Sequence, residues 1–192
     1  MVERSVAPVV SPGGVALVSG AARSGKSAWA ERIAAASGLD VLYLATGPSL
    51  PEDQAWQERL TRHRQRRPSF WRSEEIGAAL PQALNRWSQP QHLLLVDSLG
   101  TWLAHHIALD ESGWQHQRQD LITALGDCQA AVVLVAEEGG WGVVPATAIG
   151  GLFRDRLGEL LEALEPLCAR SWLVIRGRAL DLHQIGVPIM GA

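Results

Sequence analysis

The sequence predicts an α/β fold with a mainly parallel sheet flanked by helices, and three observations predict it. Short apolar runs, Val15–Ser19, Val41–Ala45, His92–Val96 and Ala131–Ala136, recur along the chain, as strands buried on both faces do. Stretches with helical spacing separate them, the alternation that builds parallel sheets. The first run leads directly into Gly20-Ala-Ala-Arg-Ser-Gly25-Lys26-Ser27, a glycine-rich loop between a strand and a helix. The 192 residues suffice for one domain with a sizeable core.

Taken in order, Met1–Gly13 holds Pro, Ser and Gly without periodicity and is expected to be a flexible tail, leaving residues 14–192 as the domain. After the Val15–Ser19 strand and the loop, a helix runs to about Ala36. Val41–Ala45 is a second strand, closed by Thr46-Gly47-Pro48. Glu52–Arg66 reads as a helix, with Trp56, Leu60 and His63 at spacings of four and three. Ser69–Arg72 reads as a short strand and Gly77–Trp87 as a helix. His92–Val96 is a buried strand ending in Asp97. Leu99–Leu109 and Trp114–Asp127 read as helices and Ala131–Ala136 as another buried strand. Beyond the glycine-rich Glu137–Pro145, the positions of Leu152, Leu157, Leu160, Leu161 and Leu164 mark an amphipathic helix. Ser171–Ile175 and Arg178–Leu182 close the chain as a strand pair around Gly177.

Composition excludes several classes. Hydrophobic residues make up 47% and charged residues 19%, the balance of a globular chain, and no apolar run is long enough to cross a bilayer. The N-terminus lacks the basic start and apolar stretch of a signal peptide. Cys128 and Cys168 make no disulfide scaffold, so a reducing, cytoplasmic setting is expected. A net charge of −3 argues against a general nucleic-acid binder. Of the 17 basic side chains, Lys26 is the one lysine. Where cationic charge alone was needed the sequence uses Arg, so position 26 calls for a compact ammonium on a slim stem.

That lysine lies in the pattern G-x-x-x-x-G-K-S. In this pattern glycines let backbone amides curl around a triphosphate, Lys26 reaches its terminal phosphates, and the Ser27 hydroxyl ligates Mg²⁺. Gly20, Ala21, Ala22, Arg23, Ser24, Gly25, Lys26 and Ser27 are therefore the expected phosphate loop, whose other reading is a turn that caps a helix. Leu93-Leu94-Leu95-Val96-Asp97 has the form of the partner motif, an apolar strand that delivers a carboxylate for Mg²⁺ at its C-terminal end. Arg59, Arg62, Arg64, Arg66, Arg67 and Arg72 crowd around His63. Such a segment is either a solvated face or a set of forks for phosphate, and an imidazole among them is able to act as a nucleophile on phosphorus.

The loop Ser19–Ser27, Tyr43-Leu-Ala-Thr46, and Arg59-Leu-x-x-His63-Arg64-x-x-Arg67-Pro68-x-x-Trp71-x-Ser73-x-Glu75 resemble the bifunctional adenosylcobinamide kinase/adenosylcobinamide-phosphate guanylyltransferase family of cobalamin biosynthesis. So do Val96-Asp97-Ser98-Leu99-x-x-Trp102-Leu103, Gly140-Trp-Gly-Val-Val-Pro145 and Phe153-Arg154-Asp155. The likeness runs in order from about Val15 to Leu182, and the His-Arg-x-x-Arg-Pro-x-x-Trp segment is its most specific part. The resemblance implies a RecA-like sheet and a homotrimer. It implies phosphorylation of adenosylcobinamide with ATP or GTP, and then transfer of GMP from GTP to the new phosphate through a guanylylated histidine. It makes His63 that histidine, with Lys26 as the second catalytic group. Thr46, Gly47, Pro48, Arg66, Arg67, Glu75 and Asp97 fall at positions near the nucleotide, and Ser27 and Asp97 on the Mg²⁺ side.

The chain departs from the family pattern at Glu137, where Asn is usual, and at His105, where Asn is usual. It also departs at Gly151, where Arg is typical, and at Glu159-Leu160-Leu161-Glu162 in place of Arg-x-Asn-Gln. A P-loop kinase of another small alcohol would share the motifs up to Asp97 and have no use for His63. A regulatory GTPase normally reads guanine with Asn-Lys-x-Asp, which a chain with one lysine, already in the phosphate loop, cannot supply. Eight tryptophans, with Trp56 and Trp87 on expected helices, suggest apolar surface for subunit packing.

Overall fold

The computed structural model describes residues 10–48, 52–54, 58, 61, 65–142 and 144–189. The strands are β1 (Val15–Gly20), β2 (Asp40–Ala45), β3 (Arg72–Glu75), β4 (His92–Asp97), β5 (Ala131–Glu137), β6 (Cys168–Ile175) and β7 (Arg178–Asp181). The helices are α1 (Lys26–Ala36), α2 (Leu80–Arg86), α3 (Leu99–His106), α4 (Glu111–Asp127), α5 (Ala148–Leu164) and α6 (Leu182–Ile185). One seven-stranded sheet runs in the order β3-β2-β4-β5-β1-β6-β7. Every pairing is parallel except that of β6 with β7.

Both faces of the sheet are dry, which is why its strands read as continuous apolar runs. Alternate side chains serve opposite faces. Leu17, Leu42, Leu44, Leu94, Val96, Val132 and Leu134 pack with Leu80 and Leu84 of α2, Trp102 of α3, Leu121 of α4 and Leu157 of α5. Ala16, Val18, Val41, Tyr43, Leu93, Leu95 and Val133 pack with Ala30, Ile33 and Ala34 of α1. Parallel register brings the C-terminal ends of β1, β2, β3, β4 and β5 to one edge, with Gly20 level with Glu137 and Ala45 with both Asp97 and Glu75. No helix among the described residues is long and apolar enough to cross a membrane.

Several boundaries differ from the sequence reading. The strand expected at Ser69–Arg72 lies at Arg72–Glu75, because Pro68 to Trp71 form a turn closed by Trp71 N–H donating to the Pro68 carbonyl (3.1 Å). The aromatic Trp71 is buried beneath the sheet edge, while the strand itself is Arg-Ser-Glu-Glu. Charged edge strands of this kind resist pairing with other chains. The helix expected from Gly77 begins at Leu80, after a turn in which Gly77 takes φ +51°. α3 ends at His106 rather than Leu109, and α4 begins at Glu111 rather than Trp114, because the Asp110 carboxylate caps it through the Gly113 amide (2.8 Å). The tail expected through Gly13 does not extend over residues 10–13. Val10 is buried in the α1-side core, and Gly13 N–H donates to the Ala130 carbonyl (3.2 Å). The described tryptophans leave less apolar surface than their number suggests. Trp87 packs on the core with its indole N–H on Glu74 (2.8 Å), Trp102 and Trp114 are fully buried, and Trp141 is the large exposed one among the described residues. Trp56 lies outside them, as does most of the expected helix Glu52–Arg66.

Candidate active site

β1 ends at Gly20, and the chain turns through residues 21–25 into α1. Two glycines make this turn possible for different reasons. A Cβ on Gly20 would lie 2.5 Å from the Val174 carbonyl oxygen and 2.7 Å from Ser24 Oγ, so only a hydrogen fits. Gly25, the N-cap of α1, has φ +99°, open to glycine alone at little cost. Arg23 also takes a positive φ, +60°, as residues in ligand-cradling loops often do. The loop is held from outside by the β6–β7 hairpin. Arg176 and Gly177, both at positive φ, form its two-residue turn, and Gly177 N–H donates to the Ser24 carbonyl (3.1 Å). Lys26 is buried at the first position of α1, and Ser27 follows beside it. The buried Ser24 hydroxyl has no protein partner among the described residues. A compact ammonium, an orphaned hydroxyl and the start of an 11-residue helix at one turn make a place for an anion.

Asp97 closes β4 two strands away, and the Asp97–Ser98 peptide is cis. The Tyr43 hydroxyl donates to Asp97 Oδ2 (2.9 Å). Burial, helped by the Asp97 carboxylate, pushes the Tyr43 phenol far above its usual range, so it remains a donor. The Arg67 guanidinium stacks on the same tyrosine ring, 3.6 Å from its centroid, and also donates to Ser73 Oγ (3.3 Å). Arg66 pairs with Glu31 of α1 (3.2 Å). Burial raises the Glu31 carboxyl above its ordinary value, with Asp97 adding to the rise and Arg66 and Arg67 opposing it. Acid and base thus alternate around the end of β4.

Below this surface lies a polar joint. Thr46 is fully buried. Its Oγ1 accepts from Ser98 N–H (2.8 Å), donates to the Ser98 carbonyl (2.6 Å) and lies 2.6 Å from Thr101 Oγ1. His105 Nε2 donates to the Thr46 carbonyl (2.9 Å). Glu137, at the end of β5, accepts from the Ser98 hydroxyl (2.7 Å) and the Gly100 amide (3.0 Å).

Gly20 through Ser27, Asp97, Glu75, Gly47 and Pro48 therefore belong to, or directly follow, strands that end at one edge of the sheet, whereas Arg66 and Arg67 precede β3 and reach Glu31 of α1 and the ring of Tyr43 on β2. Thr46 reaches that edge too, but its side chain joins the ends of β2 and β4 inside the protein. Arg72 leaves the arginine group, since its guanidinium turns to His92 at the start of β4 (3.3 Å) and to the Trp87 ring. His63, Arg59, Arg62 and Arg64 lie outside the described residues. Glu31 was not among the expected residues, and Tyr43, Ser98 and Glu137 were named there without a role at the site. Glu31 carried a legible signal, because it falls four residues after Ser27 and so on the same face of α1. Glu137 stood out only as a departure from the family pattern, and its partners, Ser98 and Gly100, lie beyond the end of another strand. The hydroxyl of Ser27 and the carboxylate of Asp97 are hard oxygen donors that suit Mg²⁺. The described residues hold no group of three or more His, Cys, Asp or Glu side chains placed to hold a metal ion.

A phosphate loop at the end of β1, an acidic end on β4 and one strand between them define a P-loop NTPase with a RecA-like sheet. The CobU family profile, described as cobinamide kinase / cobinamide phosphate guanyltransferase, matches residues 16–182, and the chain belongs to that family. It is 36% identical over 174 residues to the bifunctional adenosylcobalamin biosynthesis protein CobP of Pseudomonas aeruginosa, covering 90% of this chain and 98% of that one. It is 34% identical to the bifunctional adenosylcobalamin biosynthesis protein CobU of Escherichia coli, covering 84% of this chain and 95% of that one. A solved structure from Pyrococcus horikoshii, PH0250, shares the fold at 10% identity, with a TM-score of 0.57 over 91% of this chain and 88% of that chain. The chain is a transferase of cobalamin biosynthesis, as the resemblance implied.

Proposed function

We propose that this protein phosphorylates adenosylcobinamide with ATP or GTP and then converts the product to adenosylcobinamide-GDP with GTP. The observation that carries the proposal is the Lys26 loop and Asp97 at one edge of the sheet, with Arg66 on Glu31 and Arg67 on the Tyr43 ring that binds Asp97, in a chain of this family. In the first reaction the substrate hydroxyl oxygen attacks the γ-phosphorus, the bond to the β-phosphate oxygen breaks, and the hydroxyl proton is released. Lys26 and the loop amides neutralise the triphosphate and align it. Ser27 and Asp97 would hold Mg²⁺, which supplies charge neutralisation when bound.

In the second reaction a His63 ring nitrogen attacks the α-phosphorus of GTP and pyrophosphate leaves. The phosphate of adenosylcobinamide phosphate then attacks the same phosphorus, and the P–N bond breaks. Arg66 and Arg67 follow His63 by three and four residues and match the need for cations around a phosphorus centre gaining charge. Glu75, Gly47 and Pro48 border the nucleotide, and Thr46 holds the strand ends that carry them. The protein acts in the cytoplasm as a homotrimer. Sedimentation at micromolar concentration is expected to give the trimer, and a clean monomer would refute it.

The test is chromatography of adenosylcobinamide incubated with GTP and Lys26→Ala protein. Neither adenosylcobinamide phosphate nor adenosylcobinamide-GDP is expected, because both reactions use one triphosphate pocket. Near-normal GMP transfer to supplied adenosylcobinamide phosphate would place the second reaction in a different pocket.

A further inference from the structure

The Glu137 carboxylate is placed with unusual economy. One oxygen accepts from the Ser98 hydroxyl (2.7 Å), and the other from the amide of Gly100, the second residue of α3 (3.0 Å). A Cβ at position 100 would lie 2.1 Å from Glu137 Oε2, so the carboxylate occupies space that exists only because residue 100 is glycine. Ser98, the residue after Asp97, is gripped on its other side by Thr46 Oγ1 through both N–H and C=O. On the next residue, Glu138 N–H donates to the carbonyl of Gly20, where the phosphate loop begins (2.9 Å). The end of β5 is thus bonded at once to the entry of the phosphate loop and to the turn that carries Asp97.

We propose that Glu137 is a positioning residue for Asp97, acting through Ser98 and the first turn of α3 to fix the Asp97 carboxylate relative to the phosphate loop. The proposal rests on the assignment of Asp97 to the Mg²⁺ side of the triphosphate. Glutamine at 137 offers one acceptor oxygen where two donors converge and points an N–H₂ at the other, so the turn must shift. Alanine at 100 drives the carboxylate away by sterics and attacks the same joint from the opposite side.

The experiment uses the full chain and Mn²⁺ as probe, with a non-hydrolysable ATP analogue present. Mn²⁺ affinity is read by electron paramagnetic resonance, analogue affinity without metal by calorimetry, and folding by thermal melting. Glu137→Gln and Gly100→Ala are each expected to weaken Mn²⁺ by about ten-fold or more, the usual effect of losing a residue that orients a ligand. Analogue affinity without metal should stay within about two-fold in both, and the double variant should be no worse than the poorer single one, since both break one joint. Unchanged Mn²⁺ affinity in folded Glu137→Gln, with Asp97→Asn weakened, would overturn the inference and leave Glu137 a helix cap. Unchanged affinity in Asp97→Asn would overturn the underlying assignment as well. If Glu137→Gln melts below assay temperature, Gly100→Ala alone decides by the same criterion.

Discussion

At the scale of single residues, the fully buried hydroxyl of Thr46 ties the ends of two strands together. Thr46 was assigned to the nucleotide through resemblance, yet it is fully buried, and its hydroxyl bonds both backbone groups of Ser98. Thr46→Val keeps the shape and removes those bonds, leaving buried polar groups short of partners. We expect a loss of about 1–3 kcal/mol in stability by chemical denaturation, together with slower phosphoryl transfer because Ser98 carries Asp97. A loss indistinguishable from zero would show that Ser98 is held by its other contacts. His105 stands where the resemblance led to Asn, and the structure explains how it serves, since its ring donates to the Thr46 carbonyl as a side-chain amide would. Glu137, the other departure at this joint, has its counterpart in Gly100.

At the scale of elements, caps and turns decide where each helix starts. The Asp110 carboxylate accepts from the Gly113 amide and the Ser112 hydroxyl, and these bonds hold its pKa below the usual value. A depressed carboxylate stabilises the fold above its unfolded pKa, near 3.8, and loses that effect as pH falls through its folded value. Asp110→Ala should therefore lower the melting temperature at pH 7, with the gap to the wild type closing under strong acid. An equal gap at both pH values would mean that the cap acts without its charge. The same element shows what a sequence yields. The buried strands were legible, because both faces of a parallel sheet demand apolar residues, and the phosphate loop was legible because glycine, lysine and serine hold fixed places in it. β3 was not, since its residues are Arg-Ser-Glu-Glu and only register with β2 makes them a strand. The start of α4 was missed because Asp110 and Gly113 interrupt the apolar spacing that marked the helix. The Glu31–Arg66 pair and the Glu137 joint depend on contacts across 35 and 39 positions, which no local pattern encodes.

At the scale of the whole molecule, the proposed function assigns two reactions, at different phosphorus atoms of a nucleoside triphosphate, to one sheet edge. The strand order places β5 between the phosphate-loop strand and the Asp97 strand, and the segments after β1 and β2 and the last residues of β3 and β4 supply the expected site. A kinase needs no more than this. The second reaction requires a nucleophile, and the central claim is that His63 provides it on the same pocket. The most direct measurement is incubation of wild-type and His63→Ala protein with GTP labelled at the α-phosphorus, followed by mapping of the labelled residue and assay of both activities. A wild-type adduct on His63 is expected, labile in acid and stable in alkali as a phosphoramidate is. No adduct and no adenosylcobinamide-GDP are expected from His63→Ala, with phosphorylation of adenosylcobinamide largely retained. An adduct that persists in the variant, or equal loss of both activities with the fold intact, would contradict the central claim.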